Sequence, residues 1–96
     1  MHVISKKKLK TFWEQHPESQ RALEAWLKIM RGTRYKSWND VRATFPKADK
    51  VDEKIVFDIG GNKYRLVTVI HFNRGKVFVR EVLTHKAYDE GKWKHG

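Results

Sequence analysis

From Leu9 to Val41 the apolar residues recur every three or four positions; from Ile55 onward they alternate or run together. The first spacing is that of a helix face and the second that of strands. "HVI" (2–4) predicts a short first strand, with Ser5 as N-cap of the helix that follows. Leu9, Phe12, Trp13 and His16 stand at i, i+3, i+4 and i+7, one face of that helix. Lys6, Lys7 and Lys8 occupy its first turn, where the helix dipole disfavours cations unless they reach solvent or an anion. Pro17 and Glu18 suit the start of a second helix, Leu23, Trp26, Leu27 and Met30 repeat the stripe, and Gly32 ends it. So tight a connection predicts an antiparallel helical hairpin, with the Trp26–Met30 stripe packed as core rather than as a ligand face. "SWNDVRATFP" (37–46) reads as a third, short helix: Ser37 and Asp40 have capping-box spacing and Pro46 closes the segment.

Three stretches rich in Val, Ile, Phe and Tyr follow, at 54–59, 63–72 and 76–83. Gly60-Gly61-Asn62 and Asn73-Arg74-Gly75 separate them, and turns this short impose antiparallel pairing. Helices followed by strands predict an α+β fold, a small antiparallel β-sheet flanked by an N-terminal helical hairpin, in a single domain of 1–96. The middle stretch is apolar on both faces and is the expected central strand.

The side-chain period of two places Lys63, Arg65, Val67, Val69 and His71 on one face. The same period puts Lys76, Phe78, Arg80 and Val82 of the third strand on one face and Val77, Val79, Glu81 and Leu83 on the other. Pairing through the 73–75 turn opposes residues whose numbers sum to about 148. Arg65 then faces Leu83 with His85 just beyond, and Arg80 falls near Thr68. "THKAY" (84–88) thus lies at the same sheet end as Arg65. Two readings stand here: a strand-end ion pair of Arg65 with Glu81 or Asp58 beside a solvated terminus, or a site. As a site, Arg65, His85, Lys86 and Tyr88 supply cations, an imidazole and a phenol.

Charge narrows the partners. Lys and Arg number 21 against 11 Asp and Glu, a formal +10, and such an excess favours RNA, DNA or an acidic protein segment. "RGTRYKSW" (31–38) interleaves Arg31, Arg34 and Lys36 with Tyr35 and Trp38, a pattern that suits single-stranded RNA, although Trp38 fits better as a core residue. The absence of cysteine removes disulfides and thiolate metal sites. His2, His16, His71 and His95 are too scattered for a metal-ligand spacing. "MHVISKKKLK" lacks the apolar core of a secretory signal, and no run approaches the roughly 20 apolar residues of a membrane span, so a soluble, cytoplasmic protein is expected.

"VFDIGGNKYRLVTVIHF" followed by "VFVREVLTHKAYD" resembles the HigB-type toxins of bacterial toxin–antitoxin pairs, within the RelE/ParE superfamily. The likeness extends upstream through "LKTFWEQHPESQRALEAW" and "TFPKAD" and covers nearly the whole chain; Asn62-x-Tyr64-Arg65-Leu66 and Thr84-His85-Lys86-x-Tyr88-Asp89 are its most specific parts. It implies an mRNA endoribonuclease, commonly acting on the ribosome, without a cofactor, and silenced by a cognate antitoxin. Metal-free cleavage must take a proton from the ribose 2′-hydroxyl, stabilise the phosphorane and protonate the leaving 5′-oxygen. His85 fits acid or base, Arg65 the phosphate oxygens and Lys86 added charge. Tyr88 fits proton transfer, base stacking or the spine of the site. Arg80 and Asn62 are expected in support, with Arg34, Lys36 and Tyr35 as further RNA contacts. The superfamily also implies a gyrase-poisoning toxin as an alternative, and the residues by themselves leave a third, a non-catalytic RNA- or ribosome-binding module whose His and Tyr only stack.

Overall fold

In the computed structural model, which describes residues 1–95 and side chains through Lys94, two tight turns organise the C-terminal half. Strands β3 (Lys54–Ile59) and β4 (Tyr64–His71) meet at Gly60-Gly61-Asn62, whose φ angles of 65°, 63° and 79° need residues that accept the left-handed region. A 3₁₀ turn at Phe72–Arg74 and Gly75 then lead into β5 (Lys76–Thr84). Gly75 has φ 66°, where a side chain would be strained, and a Cβ there would also displace the Arg34 guanidinium.

Ahead of the strands lie β1 (His2–Ile4), α1 (Lys7–Gln15), a 3₁₀ turn at Pro17–Ser19, α2 (Gln20–Gly32) and α3 (Trp38–Thr44). The sheet order is β1-β5-β4-β3-β2, with β2 at Asp49–Val51. The α+β reading holds, and β4 is central as expected. Two features depart from the expected sheet. β1 runs parallel to β5, so the sheet is mixed; the two strands are joined through the whole intervening chain, not by a hairpin, and nothing imposes antiparallel pairing. β2 has too little apolar character to announce itself, and is held by pairing with Lys54–Val56.

The helices cover one sheet face. Leu9, Leu23, Trp26 and Met30 bury there against Phe57, Leu66, Ile70, Val77 and Val79. The expected cap at Ser5 does not form. Ser5 has φ 67°, Lys6 takes the N-cap position without a side-chain bond, and the chain turns out of the sheet at Ser5. The α3 cap is as read: Ser37 accepts from the Asp40 N–H, and Asp40 accepts from the Lys36 N–H at 2.9 Å. Tyr64 ties the hairpin to β4, since its hydroxyl donates to Glu18 and its ring packs edge-on to Phe12. That bond pushes the phenol up and holds the Glu18 carboxyl below its ordinary value.

The second face is thinly covered. Val56, Val67 and Trp93 form a small cluster with Val51, Leu83 and Tyr88, roofed by α4 (His85–Glu90) and a 3₁₀ turn at Lys92–His95.

A candidate active site at one end of the sheet

The β4–β5 register begins as expected, Tyr64 opposite Thr84, Arg65 opposite Leu83 and Val67 opposite Glu81. It then slips by one residue, Thr68 opposite Val79. Arg80 is the extra residue of a β-bulge. This corrects the face assignment made from simple alternation: Phe78, Glu81 and Leu83 share the open face with Arg65, Val67 and Val69, while Val77, Val79 and Val82 share the helix-covered one. The slip brings Arg80 to the open side, exposed, in a groove of about 480 Å³ with Lys8, Lys54, Lys92, Phe78 and Trp93.

β5 ends at Thr84 because its hydroxyl caps a helix, accepting from the Ala87 N–H at 3.2 Å. "HKAYDE" is therefore the short helix α4, in a segment to which the sequence reading assigned no element. The helix brings His85 and Asp89 together at i, i+4, with His85 Nδ1 2.9 Å from an Asp89 carboxylate oxygen. Nδ1–H donates to the carboxylate, which fixes the tautomer and leaves Nε2 outside that bond. The His85 side chain is 47% exposed, and its backbone N–H bonds to the Lys63 carbonyl at 3.1 Å. Lys86 follows it, exposed in the same turn.

Tyr88 lies one turn along. Its ring stacks on Trp93 at 4.8 Å and 14°, and Trp93 Nε1–H donates to the Tyr88 carbonyl at 2.9 Å. The Arg65 guanidinium sits 5.5 Å from the same ring. Burial pushes the Tyr88 phenol up, as does the Asp49 carboxylate, and the opposing pull of Arg65 does not overcome them. The phenol is a donor at neutral pH, not a base. We therefore expect Tyr88→Phe to change RNA cleavage by less than about tenfold, and Tyr88→Ala to lower both cleavage and melting temperature by removing the stack. Cleavage assays beside thermal unfolding separate the two; a Tyr88→Phe loss of ~10² or more would make the phenol a proton-transfer group.

Arg65 forms the ion pair foreseen with Asp58, at 3.1 Å, and not with Glu81. It also donates to the Asn62 side-chain oxygen and to the carbonyls of Asn62 (3.3 Å) and Tyr64 (3.2 Å). Its side chain is only 11% exposed. A guanidinium so committed has few donors left for a phosphate, so the geometry gives it the work of holding the turn and the Tyr88 ring. Asn62 serves both as a left-handed turn residue and as the acceptor that orients Arg65.

Arg65, Asn62, His85, Lys86 and Tyr88 thus gather at one sheet end. The remaining candidates do not join them. Arg34 donates to the carbonyls of Phe72 and Asn73, at the far end of β4, about 23 Å away at roughly 3.3 Å per residue. Tyr35 is 2% exposed and packed in the core, so its ring is closed to base stacking. Lys36 is exposed beside the α3 cap, also away from the site. Trp38 packs against the core, as its alternative reading had it. Asp89 and Trp93 are the residues whose roles sequence reasoning missed. The i, i+4 spacing from His85 signals Asp89 once α4 is recognised; nothing local signals Trp93. Among the described residues no three carboxylate or imidazole side chains gather as a metal-ligand set.

Residues 19–91 match the family of the HigB toxin, the RelE-like toxic component of a toxin-antitoxin system. This chain belongs to the HigB toxin family. The mRNA interferase toxin HigB of Escherichia coli (strain K12) is 36% identical over 92 residues, covering 93% of this chain and 88% of its own length. The mRNA interferase HigB of Shigella flexneri has the same identity and coverage. That of Escherichia coli O6:H1 is 28% identical over 93 residues, covering 94% of this chain and 90% of its own. This HigB-family chain therefore matches these relatives over most of their length, and the family match itself includes α4.

Proposed function

We propose that this protein is the toxin of a toxin–antitoxin pair and an endoribonuclease that cleaves mRNA on the ribosome, in the cytoplasm, by acid/base chemistry of its own side chains. The observation that carries this reading is the exposed His85 imidazole, set in one tautomer by Asp89 at 2.9 Å. Nε2 takes the proton of a ribose 2′-hydroxyl, and the Asp89 carboxylate stabilises the imidazolium that results. The 2′-oxygen attacks phosphorus, the bond to the 5′-oxygen breaks as that oxygen takes up the proton held on the imidazolium, and the products are a 2′,3′-cyclic phosphate and a 5′-hydroxyl. Lys86 faces the charge that builds on the phosphorane, as a compact cation of lower geometric demand than a guanidinium. Protonated Tyr88 supplies a donor at the same end. Arg65 acts as a positioning residue through Asp58 and the Tyr88 ring. Arg80, with Lys8, Lys54 and Lys92 around the groove, neutralises flanking phosphates.

Primer extension on cellular mRNA after brief expression, with and without translating ribosomes, tests the proposal. Discrete cuts that need translation are expected. Equal cutting of naked mRNA would remove the ribosome from the mechanism, and growth arrest without cuts would favour gyrase poisoning.

The second expectation concerns the antitoxin. At 100-fold excess over Kd it should stabilise the toxin by ~2.7 kcal/mol and raise its melting temperature by about 10 °C or more. An unchanged melting temperature at saturation would contradict it.

A further inference from the structure

α4 is six residues long, and none of its side chains is fully buried. A helix that short does not persist on its own backbone bonds, so groups outside it must hold it in shape. At its front stand the Thr84 cap and the bond from the His85 N–H to the Lys63 carbonyl at 3.1 Å. At its rear the chain turns at Gly91, where φ is 77°, and brings Trp93 back onto Tyr88.

Trp93 is 5% exposed and meets the last turn of α4 in two ways. Its ring stacks on that of Tyr88 at 4.8 Å, and its Nε1–H donates to the Tyr88 carbonyl at 2.9 Å. The same carbonyl accepts the Gly91 N–H at 3.0 Å. The indole also packs with Val56 of β3 and Val67 of β4, so it ties the end of α4 to the sheet. Bulk alone would fill that small cluster. A donor aimed at the Tyr88 carbonyl does more, because that carbonyl and the Asp89 N–H belong to one planar peptide unit. Orienting the carbonyl orients the backbone from which Asp89 projects.

The His85–Asp89 pair depends on that end of the helix. His85 is the first residue of α4 and Asp89 the fifth, and their 2.9 Å contact requires the helical turn between them to stay closed. Both side chains are exposed, at 47% and 60%, so the sheet does not hold them in place directly.

We propose that Trp93 is a positioning residue for the catalytic end: by fixing the Tyr88–Asp89 peptide it keeps the Asp89 carboxylate behind His85. This deepens the acid/base reading above and rests on it. Trp93 lies past residue 91, where the family match ends.

Trp93→Phe keeps a ring to stack and to fill the cluster but removes the donor; Trp93→Ala removes both. Nitrogen NMR of the full-length toxin, with its imidazoles neutral and no RNA present, reads the His85 tautomer directly. The wild type should show mainly Nδ1–H, and Trp93→Phe should raise the Nε2–H share at least about twofold. In cleavage, Trp93→Phe should lower kcat about fivefold, the loss expected for one hydrogen bond, with KM within about twofold. In an Asp89→Asn background the same change should cost less than about twofold, because the carboxylate it positions is gone. Trp93→Ala should enlarge both effects and also lower the melting temperature. A Trp93→Phe variant with the wild-type tautomer and kcat would make Trp93 a core filler and overturn the proposal. Equal losses in the two backgrounds would overturn it as well. A shifted tautomer in Trp93→Phe beside a fully active His85→Ala variant would instead overturn the acid/base reading and leave the clamp on α4 standing.

Discussion

His85→Ala is expected to lower mRNA cleavage by about 10²–10⁴-fold and to abolish growth inhibition. The domain should stay folded. His85 is nearly half exposed, and among the described residues its one side-chain bond is to Asp89, which is itself 60% exposed. Surface changes of that kind move stability by roughly 0.5 kcal/mol or less. Cleavage rate and thermal unfolding, measured on the same preparation, should therefore separate completely. Asp89→Asn adds a graded control. It keeps the shape but removes the charge that stabilises the imidazolium, so the loss should be smaller than that of His85→Ala. A fully active His85→Ala variant would show that α4 carries no proton-transfer group and would return the site to a binding role.

Arg65→Ala is expected to remove toxicity by a different route. It breaks the pair with Asp58, three donated hydrogen bonds in the turn and the contact with Tyr88. Breaking a fully buried pair costs about 3–5 kcal/mol; with Asp58 a quarter exposed, roughly 2–3 kcal/mol is expected here. For a domain of this size that is a fall of roughly 10–20 °C in melting temperature. The paired variant Arg65→Met/Asp58→Leu discriminates the two roles of the guanidinium. It leaves no orphaned charge and should recover most of the stability. If Arg65 only positions α4 through the turn and the Tyr88 ring, toxicity returns in part with the fold. If the guanidinium itself holds the scissile phosphate, the protein melts normally and remains inert.

Much of this arrangement is legible along the chain. Each helix stripe is a local spacing, and each turn is announced by residues that accept positive φ, so the meander, its central strand and the pairing of Arg65 with Leu83 all follow. The convergence of Arg65 with the His85 segment is legible for the same reason, since turn length dictates register. Three features were not. The Arg80 bulge reverses the faces of Lys76–Val79 relative to Glu81–Leu83, and no residue type marks it. β1 pairs across more than seventy residues, a choice that local pattern does not encode. Tyr35 reads as an exposed aromatic among cations, yet it is buried in the core.

By itself, then, the sequence determined which residue types stand near one another along each element: the helical stripes, the alternating strands, the His-Lys-x-Tyr-Asp run and an excess of positive charge. These are properties of neighbours within a few bonds. Only the tertiary structure decided which groups are free to act. It committed Arg65 to Asp58 and Asn62, left His85 open with Asp89 behind it, stacked half-buried Tyr88 on Trp93, and left the outer edge of β5 beyond Phe78 without a described strand. Those outcomes depend on burial and on pairings between distant segments, which set the dielectric and the remaining hydrogen-bonding capacity of each group.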